Sequence, residues 1–225
     1  MLTHDVSAAD VPAPHYPTPA ARTADLVVHL IGLVLALFGG GVLLGLSVGT
    51  GSFDRIAAIS IYAAGLLAML GFSTAYNFAR EAHRPLLRRL DHAGIFLMIA
   101  CSYTPFTTHN LTGAWSVGMT AAVWAIAGLG IAGKLFLPGL GRRFWVGVYV
   151  ALGWLVLVAI KPLVEGLSWA ALLLLALGGL LYSTGVVFYV NKRLKFARAI
   201  WHGHVVAAAG AHWAAVLIGV LLTSR

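Results

Sequence analysis

The sequence predicts an all-α integral membrane protein, a bundle of seven transmembrane helices with a cytoplasmic N-terminus and an external C-terminus. Three observations carry this prediction: 60% of the 225 residues are apolar, only 10% are charged, and the mean hydropathy is +0.90. Soluble domains are about 45–50% apolar and about 25% charged. This chain therefore has too little polar surface to cover its own core in water.

Two other classes of protein are excluded or disfavoured by the same composition. The single cysteine, Cys101, excludes an intrachain disulfide scaffold. The net charge of +8 would suit a nucleic-acid partner, but the cations lie in short loops between apolar runs. We therefore expect no nucleic-acid partner.

Residues 1–24 are predicted to be a flexible cytoplasmic tail that precedes a membrane domain at 25–223. The tail contains two aspartates and four prolines and lacks the apolar centre of a secretory signal. These residues are Asp5, Asp10, Pro12, Pro14, Pro17 and Pro19.

Seven apolar segments follow, each near the roughly 20 residues that a helix needs to cross the hydrocarbon core. They lie at approximately 26–48, 56–78, 92–108, 116–137, 144–160, 167–190 and 200–222. The first carries glycines four residues apart, Gly41, Gly45 and Gly49, a spacing that favours close helix packing. The third is interrupted by polar residues and Pro105, which a buried spanning helix tolerates. Six or eight spans are the alternatives to seven.

The distribution of lysine and arginine predicts the orientation. Twelve of the fifteen fall on one side of the predicted spans, in the tail and in the loops after spans two, four and six. The other side holds Arg55, Lys161 and Arg225. Because cytoplasmic loops are enriched in Lys and Arg, the N-terminus is predicted to be inside. We expect a multi-pass protein of the plasma (inner) membrane.

Ionisable and polar groups within spans are costly and mark candidate functional sites. Ser73 and Asn77 share one face at the end of span two, Asp91 opens span three, and Arg198 and His202 share one face at the start of span seven. The topology places these five residues at one membrane level. Three other histidines are expected to be packed and hydrogen-bonded to a neighbouring helix: His29, His204 and His212.

Several motifs resemble the hemolysin III family, which is related to the progestin and adipoQ receptors (PAQR), and they occur in that family's order over roughly residues 22–223. They are Ser73-Thr-Ala-Tyr-Asn77, Asp91-His92-Ala-Gly-Ile-Phe, Ser102-Tyr-Thr-Pro105-Phe, Tyr182-Ser-Thr-Gly185 and Ala199-Ile-Trp201-His202.

The resemblance implies a seven-helix bundle with a zinc site at the cytoplasmic ends of spans two, three and seven. It further implies zinc-dependent hydrolysis of lipid amides, as in ceramidases. Three imidazoles and a water form the open site of catalytic zinc. The family's ligand positions fall here on Asn77, Arg198 and His202, with Ser73 and Asp91 retained beside them. Only His202 is a retained ligand, so no metal and no catalytic residue is assigned from the sequence.

These substitutions predict a degenerate metal site in which an Asp91–Arg198 pair replaces zinc. A lone buried carboxylate is unfavourable, and Arg198 supplies a fixed positive charge at a former ligand position. In this hypothesis Ser73, Asn77 and His202 complete a hydrogen-bonded network. The alternative is that Arg198 extends to the membrane surface and pairs with lipid phosphate.

Three functions remain open. The first is a lipid-binding or sensing protein with membrane lipids as partners and a lipid or fatty acid bound in the bundle. The second is a zinc-dependent hydrolase of lipid amides. The third is cytolysis or pore formation, for which we expect no liposome leakage because no charged stripe lines a span. Ser73, His202 and Asp91 are the residue types of a hydrolytic triad, but we interpret their shared depth in the membrane as a coincidence.

Overall fold

The computed structural model of the protein describes residues 15–137, 139–191 and 193–223. All regular structure in these residues is helical. The helices are α1 (Pro19–Gly49), α2 (Phe53–Phe78), α3 (Arg84–His109), α4 (Gly113–Phe136), α5 (Arg142–Gly153), α6 (Ile160–Gly166), α7 (Trp169–Val190) and α8 (Ala197–Val216). Short turns at Glu81–His83 and Leu155–Ala159 have 3-10 geometry, and Leu217–Leu221 continues α8 as a π-turn.

Local sequence signals set several of the helix starts. The Thr18 hydroxyl accepts a hydrogen bond from the Ala21 amide and precedes Pro19 at the first helical position of α1. Ser52 caps α2 and Ser168 caps α7 in the same way. A capping hydroxyl satisfies one of the free amides of the first turn, and proline loses nothing there because that amide is unpaired anyway.

Six helical segments in the described residues are long and apolar enough to cross a membrane. Helices α5 and α6 count as one of them, Arg142–Gly166. Helix α3 has 26 residues but is less apolar than the others, since it begins with an arginine-rich turn. The all-helical, multi-pass fold class is confirmed, whereas seven spans and their orientation remain predictions.

The bundle interior contains two hydrophobic clusters. The larger buries Tyr62, Ile59 and Leu43 between α1, α2 and α8, and the smaller buries Phe96 and Val123 between α3, α4 and α5. The exterior of the bundle is apolar as well, for example at Phe38 on α1, as expected of side chains that contact lipid. The polar residues are thus concentrated in a few interior places.

Close helix contact occurs at other glycines than the predicted ones. A Cβ on Gly41, Gly45 or Gly49 would have no neighbour within 4 Å in the described chain, so the prediction that they mediate close packing within the bundle is wrong. A Cβ on Gly65 would instead lie 2.5 Å from Cys101. Glycine is required at that position because α2 and α3 approach there too closely for any side chain.

The stretch predicted as a tail has two parts in the structure. Residues 1–14 lie outside the described residues, so the flexibility of that part remains a prediction. Helix α1 begins at Pro19, seven residues before the predicted first span, and the residues just before it contact the bundle. The segment at 15–18 therefore contributes to one end of the molecule, where the polar residues gather.

Candidate functional site

A cavity of about 440 Å³ opens at the end of the bundle formed by the first turns of α1, α3 and α8 and the last turns of α2. We call this the site end. All five residues singled out in the sequence line the cavity: Ser73, Asn77, Asp91, Arg198 and His202. The structure therefore brings them together, and it adds two residues of α1, Asp25 and His29.

Three helices present their site residues in pairs four residues apart. Asp25 and His29 form such a pair on α1, as do Ser73 and Asn77 on α2 and Arg198 and His202 on α8. Residues four apart lie on one face of a helix, one turn above the other. Three such faces meet at the site end, and hydrogen bonds link them.

A hydrogen-bonded chain runs from Ser73 through His202 to Asp25. Ser73 Oγ lies 3.5 Å from His202 Nε2. On the other side of the imidazole, Nδ1 lies 2.6 Å from Asp25 Oδ1. Asp25 is fully buried, so the carboxylate has no access to water, and His202 and Tyr16 are its side-chain partners. This short contact fixes both the orientation of the imidazole and the tautomer in which Nδ1 carries the proton.

His29 approaches the same hydroxyl from α1. Its Nε2 lies 3.3 Å from Ser73 Oγ, and its Nδ1 donates to the backbone carbonyl of Asp25 at 2.8 Å. The His29 and His202 rings are edge to face, with centroids 4.3 Å apart. His29 is thus bonded to a neighbouring helix as predicted, but it is part of the site rather than a separate packed residue.

The guanidinium of Arg198 lies beside this chain and contacts neutral groups. Its Nη1 donates to Asn77 Oδ1 at 3.2 Å and lies 3.1 Å from His15 Nε2. In the described residues, Arg198 has no carboxylate within 4.0 Å. The predicted direct pair between Arg198 and Asp91 is therefore wrong. The long side chain of Arg198 turns instead to Asn77 on α2 and to His15, which precedes α1.

Asp91 lies close to the Ser73 hydroxyl and within electrostatic range of His202 and Arg198. Among the described residues, it is the one acidic side chain that lines the cavity. Four basic side chains also line the cavity, Arg88, Arg142, Lys195 and Arg198. The charged side chains that line the cavity therefore carry a net positive charge, and the rest of its walls are largely apolar.

Two residues before α1 cover part of the site. The Tyr16 hydroxyl donates to Asp25 Oδ2 at 2.5 Å, and its ring stacks on Phe78. His15 lies against Asn77 and Arg198. Burial, and next the neighbouring Arg198 guanidinium, lower the pKa of His15 to about 4, so the ring is neutral at pH 7. The two residues form a strap over the cluster.

The remaining histidines of α8 behave differently from His202. His204 Nδ1 bonds the carbonyl of Ile200 on its own helix, so the predicted bond to a neighbouring helix is not found there. His212 Nε2 bonds the Leu175 carbonyl on α7, as predicted. Both imidazoles have backbone partners and lie away from the cluster at the site end.

Asp25 and His29 were missed in the sequence for identifiable reasons. Asp25 lies one residue before the predicted first span, at the edge of what was assigned to the tail. His29 was assigned, with His204 and His212, to packing and hydrogen bonding with a neighbouring helix. The signal was present in the spacing, since Asp25 and His29 are four residues apart like the two pairs that were recognised.

The ligand positions implied by the family resemblance do not fit a zinc ion. At those positions Asn77 accepts a hydrogen bond from Arg198, and the guanidinium occupies the space beside it. Arginine has no lone pair to offer a metal, and its charge repels a dication. Only His202 remains from that set, which leaves too few ligands to hold the ion.

Comparison with known proteins identifies the family. The family described as "Haemolysin-III related" matches residues 21–213. The chain is 33% identical over 195 residues to the "Hemolysin-3 homolog" of Bacillus subtilis (strain 168), covering 86% of this chain and 92% of the relative. It is 34% identical over 208 residues to "Hemolysin-3" of Bacillus cereus, covering 89% and 92%.

A more distant relative connects the chain to animal proteins. It is 28% identical over 212 residues to the human "Monocyte to macrophage differentiation factor", a PAQR-related protein, covering 89% of this chain and 84% of the relative. Each of these matches extends over most of the membrane helices described above. The predicted resemblance is confirmed, and the chain belongs to the haemolysin III family of multi-pass membrane proteins.

Proposed function

We propose that this protein binds an amphiphile with an anionic head group, such as a fatty acid, in the cavity at the site end. The observation that carries this proposal is the described lining of the cavity, which includes the four basic side chains and one carboxylate. Below them the wall is apolar, with Met69, Leu70 and Val206 among its members. Such a combination suits a ligand with a charged head and a hydrocarbon chain.

Arg198 is the proposed anchor of the head group. Within the described part of the chain, its guanidinium contacts the neutral polar groups of Asn77 and His15, together with the ring of Tyr16 at 5.4 Å. A guanidinium can hold a carboxylate through two parallel hydrogen bonds. The charge of Arg198 is thus available to a ligand, which a direct pair with Asp91 would have prevented.

Substitution of Arg198 by glutamine tests this role. We expect Arg198→Gln to weaken fatty-acid binding by about tenfold or more, because a charge-assisted hydrogen bond contributes about 1.5–3 kcal/mol. Displacement of a fluorescent fatty acid from the purified protein measures the affinity. The matched control is Arg193→Gln, an exposed arginine of the loop before α8 that is not among the residues lining the cavity.

A fatty alcohol of the same chain length serves as the second control. It lacks the anionic head, so we expect it to bind more weakly and to be insensitive to Arg198→Gln. Equal affinity of the acid for the wild type and for Arg198→Gln would contradict the proposed anchor, and absence of saturable binding would contradict the function.

Hydrolysis of a lipid amide is the second candidate function. It is supported by the chain Ser73–His202–Asp25, in which His202 Nε2 faces the hydroxyl while Asp25 holds Nδ1. A base oriented in this way can take a proton from a serine or from a bound water. The chain uses Asp25 where the sequence had suggested Asp91.

Release of fatty acid from a ceramide-type amide by the purified protein tests the second candidate. We expect Ser73→Ala to reduce the rate to background, and Thr74→Ala to leave it unchanged. Thr74 bonds the Leu70 carbonyl on its own helix, so it controls for loss of a neighbouring hydroxyl. An unchanged rate in Ser73→Ala would exclude a role for that hydroxyl.

Cytolysis is a further candidate function, suggested by the names of the bacterial relatives. The outward side chains of the described helices are predominantly apolar, as at Phe38, Leu173 and Leu177, which favours contact with lipid over a water-filled pore. We expect purified protein to leave dye-loaded liposomes intact, and dose-dependent leakage would reverse this expectation.

We further propose that the site end faces the cytoplasm of the plasma membrane. Support comes from the excess of Lys and Arg in the loops at that end. Labelling with a membrane-impermeant thiol reagent tests this orientation, since the native Cys101 is buried. In intact cells Thr112→Cys should react and Arg193→Cys should not, and the reverse pattern would invert the bundle.

A further inference from the structure

We propose that a second cavity at the site end binds a phosphate group, with the head group of an anionic membrane lipid as the favoured source. This cavity has a volume of about 240 Å³ and lies between the first turns of α3, the last turn of α4 and the first turns of α5. We call it the second cavity, and the one that contains Ser73 the first cavity. The inference goes beyond amphiphile binding and does not rest on it, since it concerns a different cavity and a different ligand.

The charge of the second cavity is the first observation. Four cationic side chains line it, and among the described residues no acidic side chain does: Arg88, Arg89, Lys134 and Arg142. Arg88 and Arg142 also line the first cavity, so Arg89 and Lys134 are the cations that distinguish the second. Like charges held together repel one another, and a bound anion stabilises such a group.

The end of helix α4 accounts for only part of this charge. Arg89 Nη1 donates to the backbone carbonyl of Leu135 at 3.1 Å, and Lys134 lies in the last turn of α4. Cations stabilise this end of a helix, whose dipole is equivalent to roughly half a negative elementary charge. The Asp91 carboxylate of the first cavity lies within electrostatic range of Lys134 and adds one more negative charge. Together these charges do not offset four cations, so positive charge remains for a ligand.

Lys134 is held beside the cavity by an aromatic wall. Its Nζ lies 4.4 Å from the centroid of the Trp145 ring and 5.6 Å from that of the Tyr149 ring. An ammonium group is attracted to the face of an aromatic ring, and the attraction is stronger where water is excluded. Lys134 is thus positioned at the second cavity rather than extended into the surroundings.

The aromatic wall is itself fixed by packing. Trp145 is buried against Gly133, where a Cβ would lie 2.5 Å from the indole. The Phe96 ring of α3 lies 5.9 Å from the Trp145 ring and 4.5 Å from the Tyr149 ring, measured between centroids. The Tyr149 hydroxyl donates to the His92 carbonyl at 3.0 Å. These contacts join α5 to α3 and α4, so little of the wall has to be ordered when a ligand binds.

The size and chemistry of the lining suit a phosphate group rather than a whole amphiphile. Pockets for drug-sized ligands have volumes of roughly 300–1,000 Å³, whereas the second cavity has about 240 Å³. Guanidinium groups bind phosphate oxygens through paired hydrogen bonds, and a lysine adds a point charge. Basic pockets between membrane helices bind lipid head groups of this kind.

The rim of the cavity favours a lipid over a free phosphate ion. Leu140 lines the cavity and is 45% exposed. Phe144 is also exposed, and its ring contacts that of Trp145 with centroids 5.2 Å apart. Exposed apolar side chains beside a charged pocket suit the acyl chains of a lipid whose head group lies in that pocket.

Native mass spectrometry of the purified full-length protein in detergent tests the proposal, with dioleoyl phosphatidic acid as the probe. Dioleoylglycerol, which has the same chains and no phosphate, is the matched ligand. We expect phosphatidic acid to bind more tightly, and Lys134→Gln to weaken its binding about tenfold, because the substitution removes a charge-assisted contact. Binding of dioleoylglycerol should not respond to Lys134→Gln.

Arg143→Gln is the matched control variant. Arg143 is an exposed cation of α5 that is not among the residues lining either cavity. The substitution removes the same charge from the same end of the bundle, so it should leave the affinity for phosphatidic acid nearly unchanged. An equal loss in Arg143→Gln and Lys134→Gln would show general surface attraction and would overturn the site.

Sodium phosphate distinguishes the two sources of the phosphate group. Displacement of phosphatidic acid by phosphate, beyond that caused by sodium chloride at equal ionic strength, supports a pocket that takes the free ion as well. Resistance to phosphate supports a lipid ligand whose acyl chains contribute to binding, which is the result we expect.

Two further results would overturn the proposal: equal affinity of the wild type for phosphatidic acid and dioleoylglycerol, or undiminished affinity for phosphatidic acid in the folded double variant Arg89→Gln/Lys134→Gln. Circular dichroism and the elution volume report folding. Arg89 is exposed, so Arg89→Gln alone keeps the test available where Lys134→Gln does not fold.

Fatty-acid displacement is measured on the same variants. It should respond to Arg198→Gln and not to Lys134→Gln, because Lys134 does not line the first cavity. Failure of the phosphate site therefore leaves the proposed fatty-acid site intact, and the two failures are distinguishable.

Discussion

The two ends of helix α3 bury polar groups in different ways. At its far end, the Asn110 amide nitrogen donates to the backbone carbonyls of Gly166 and Gly219 at 3.1 and 2.9 Å. At the site end, side chains bond to side chains around Ser73, and two imidazole lone pairs remain directed at one hydroxyl. The first arrangement ties Asn110 to the chain segments that contain Gly166 and Gly219. The second leaves hydrogen-bond acceptors that are not fully used beside a cavity.

This difference shows how a structural polar group can be told from a functional one inside a membrane. Polar groups inside a membrane are costly, so the polar groups at both ends of α3 need an explanation. At Asn110 both amide protons are used by backbone carbonyls at the ends of helices, while its Oδ1 is buried without a hydrogen-bond partner among the described residues. At the site end the hydrogen bonds do not exhaust the donors and acceptors, and basic side chains line the space beside them.

The largest effect on stability is expected from His202→Ala. It leaves the fully buried Asp25 carboxylate without its 2.6 Å partner, and removal of one member of a buried pair costs about 3–5 kcal/mol. Thermal unfolding in detergent measures the loss. The double variant Asp25→Asn/His202→Ala should recover part of it, and strict additivity of the two substitutions would contradict a direct coupling.

A smaller effect is expected from Asn110→Ala at the other end. Loss of the two hydrogen bonds should lower the free energy of unfolding by about 1–2 kcal/mol, since polar contacts between membrane helices are individually modest. Fatty-acid affinity should not change, because Asn110 is remote from the cavity. A change in this affinity would mean that the two ends are coupled and that the comparison is too simple.

The smallest expected effect is a pH dependence of stability, which arises where His15 of the strap contacts the bundle. The folded protein keeps His15 neutral down to about pH 4, whereas an ordinary histidine takes up a proton near 6.5. The unfolded or released state therefore binds more protons in this window, and the stability of the contact falls as the pH is lowered through it. The groups that face His15 include Arg198, Arg84 and Asp25.

The pH effect is measured as the unfolding midpoint of the wild type relative to His15→Gln between pH 7 and 4. The difference should shrink or reverse on acidification, since glutamine cannot take a proton. A difference that is constant with pH would show that the strap is not sensitive to protonation of His15.

Much of the fold and part of the site followed from local sequence. Hydropathy located the long helices, and the spacing of Ser73 with Asn77 and of Arg198 with His202 predicted which faces would meet. The partner of Arg198 could not be predicted in the same way. A long side chain reaches any of several groups at one depth, and the choice here depended on His15, a residue that sequence reasoning had assigned to a solvated tail.

The sequence by itself determined that this protein is a helical membrane protein of the haemolysin III family, with polar residues concentrated at one level. The membrane fold depends on apolar content and helical periodicity, and the family on short motifs, all of which are local in sequence. Only the tertiary structure decided that Asp25, rather than Asp91, bonds His202. It also decided that His29 and His202 both approach Ser73. Arg198 contacts Asn77 and His15 instead of Asp91. Hydrogen bonding depends on the rotation of each helix about its axis and on distances of an ångström or less, and packing between helices distant in sequence sets both.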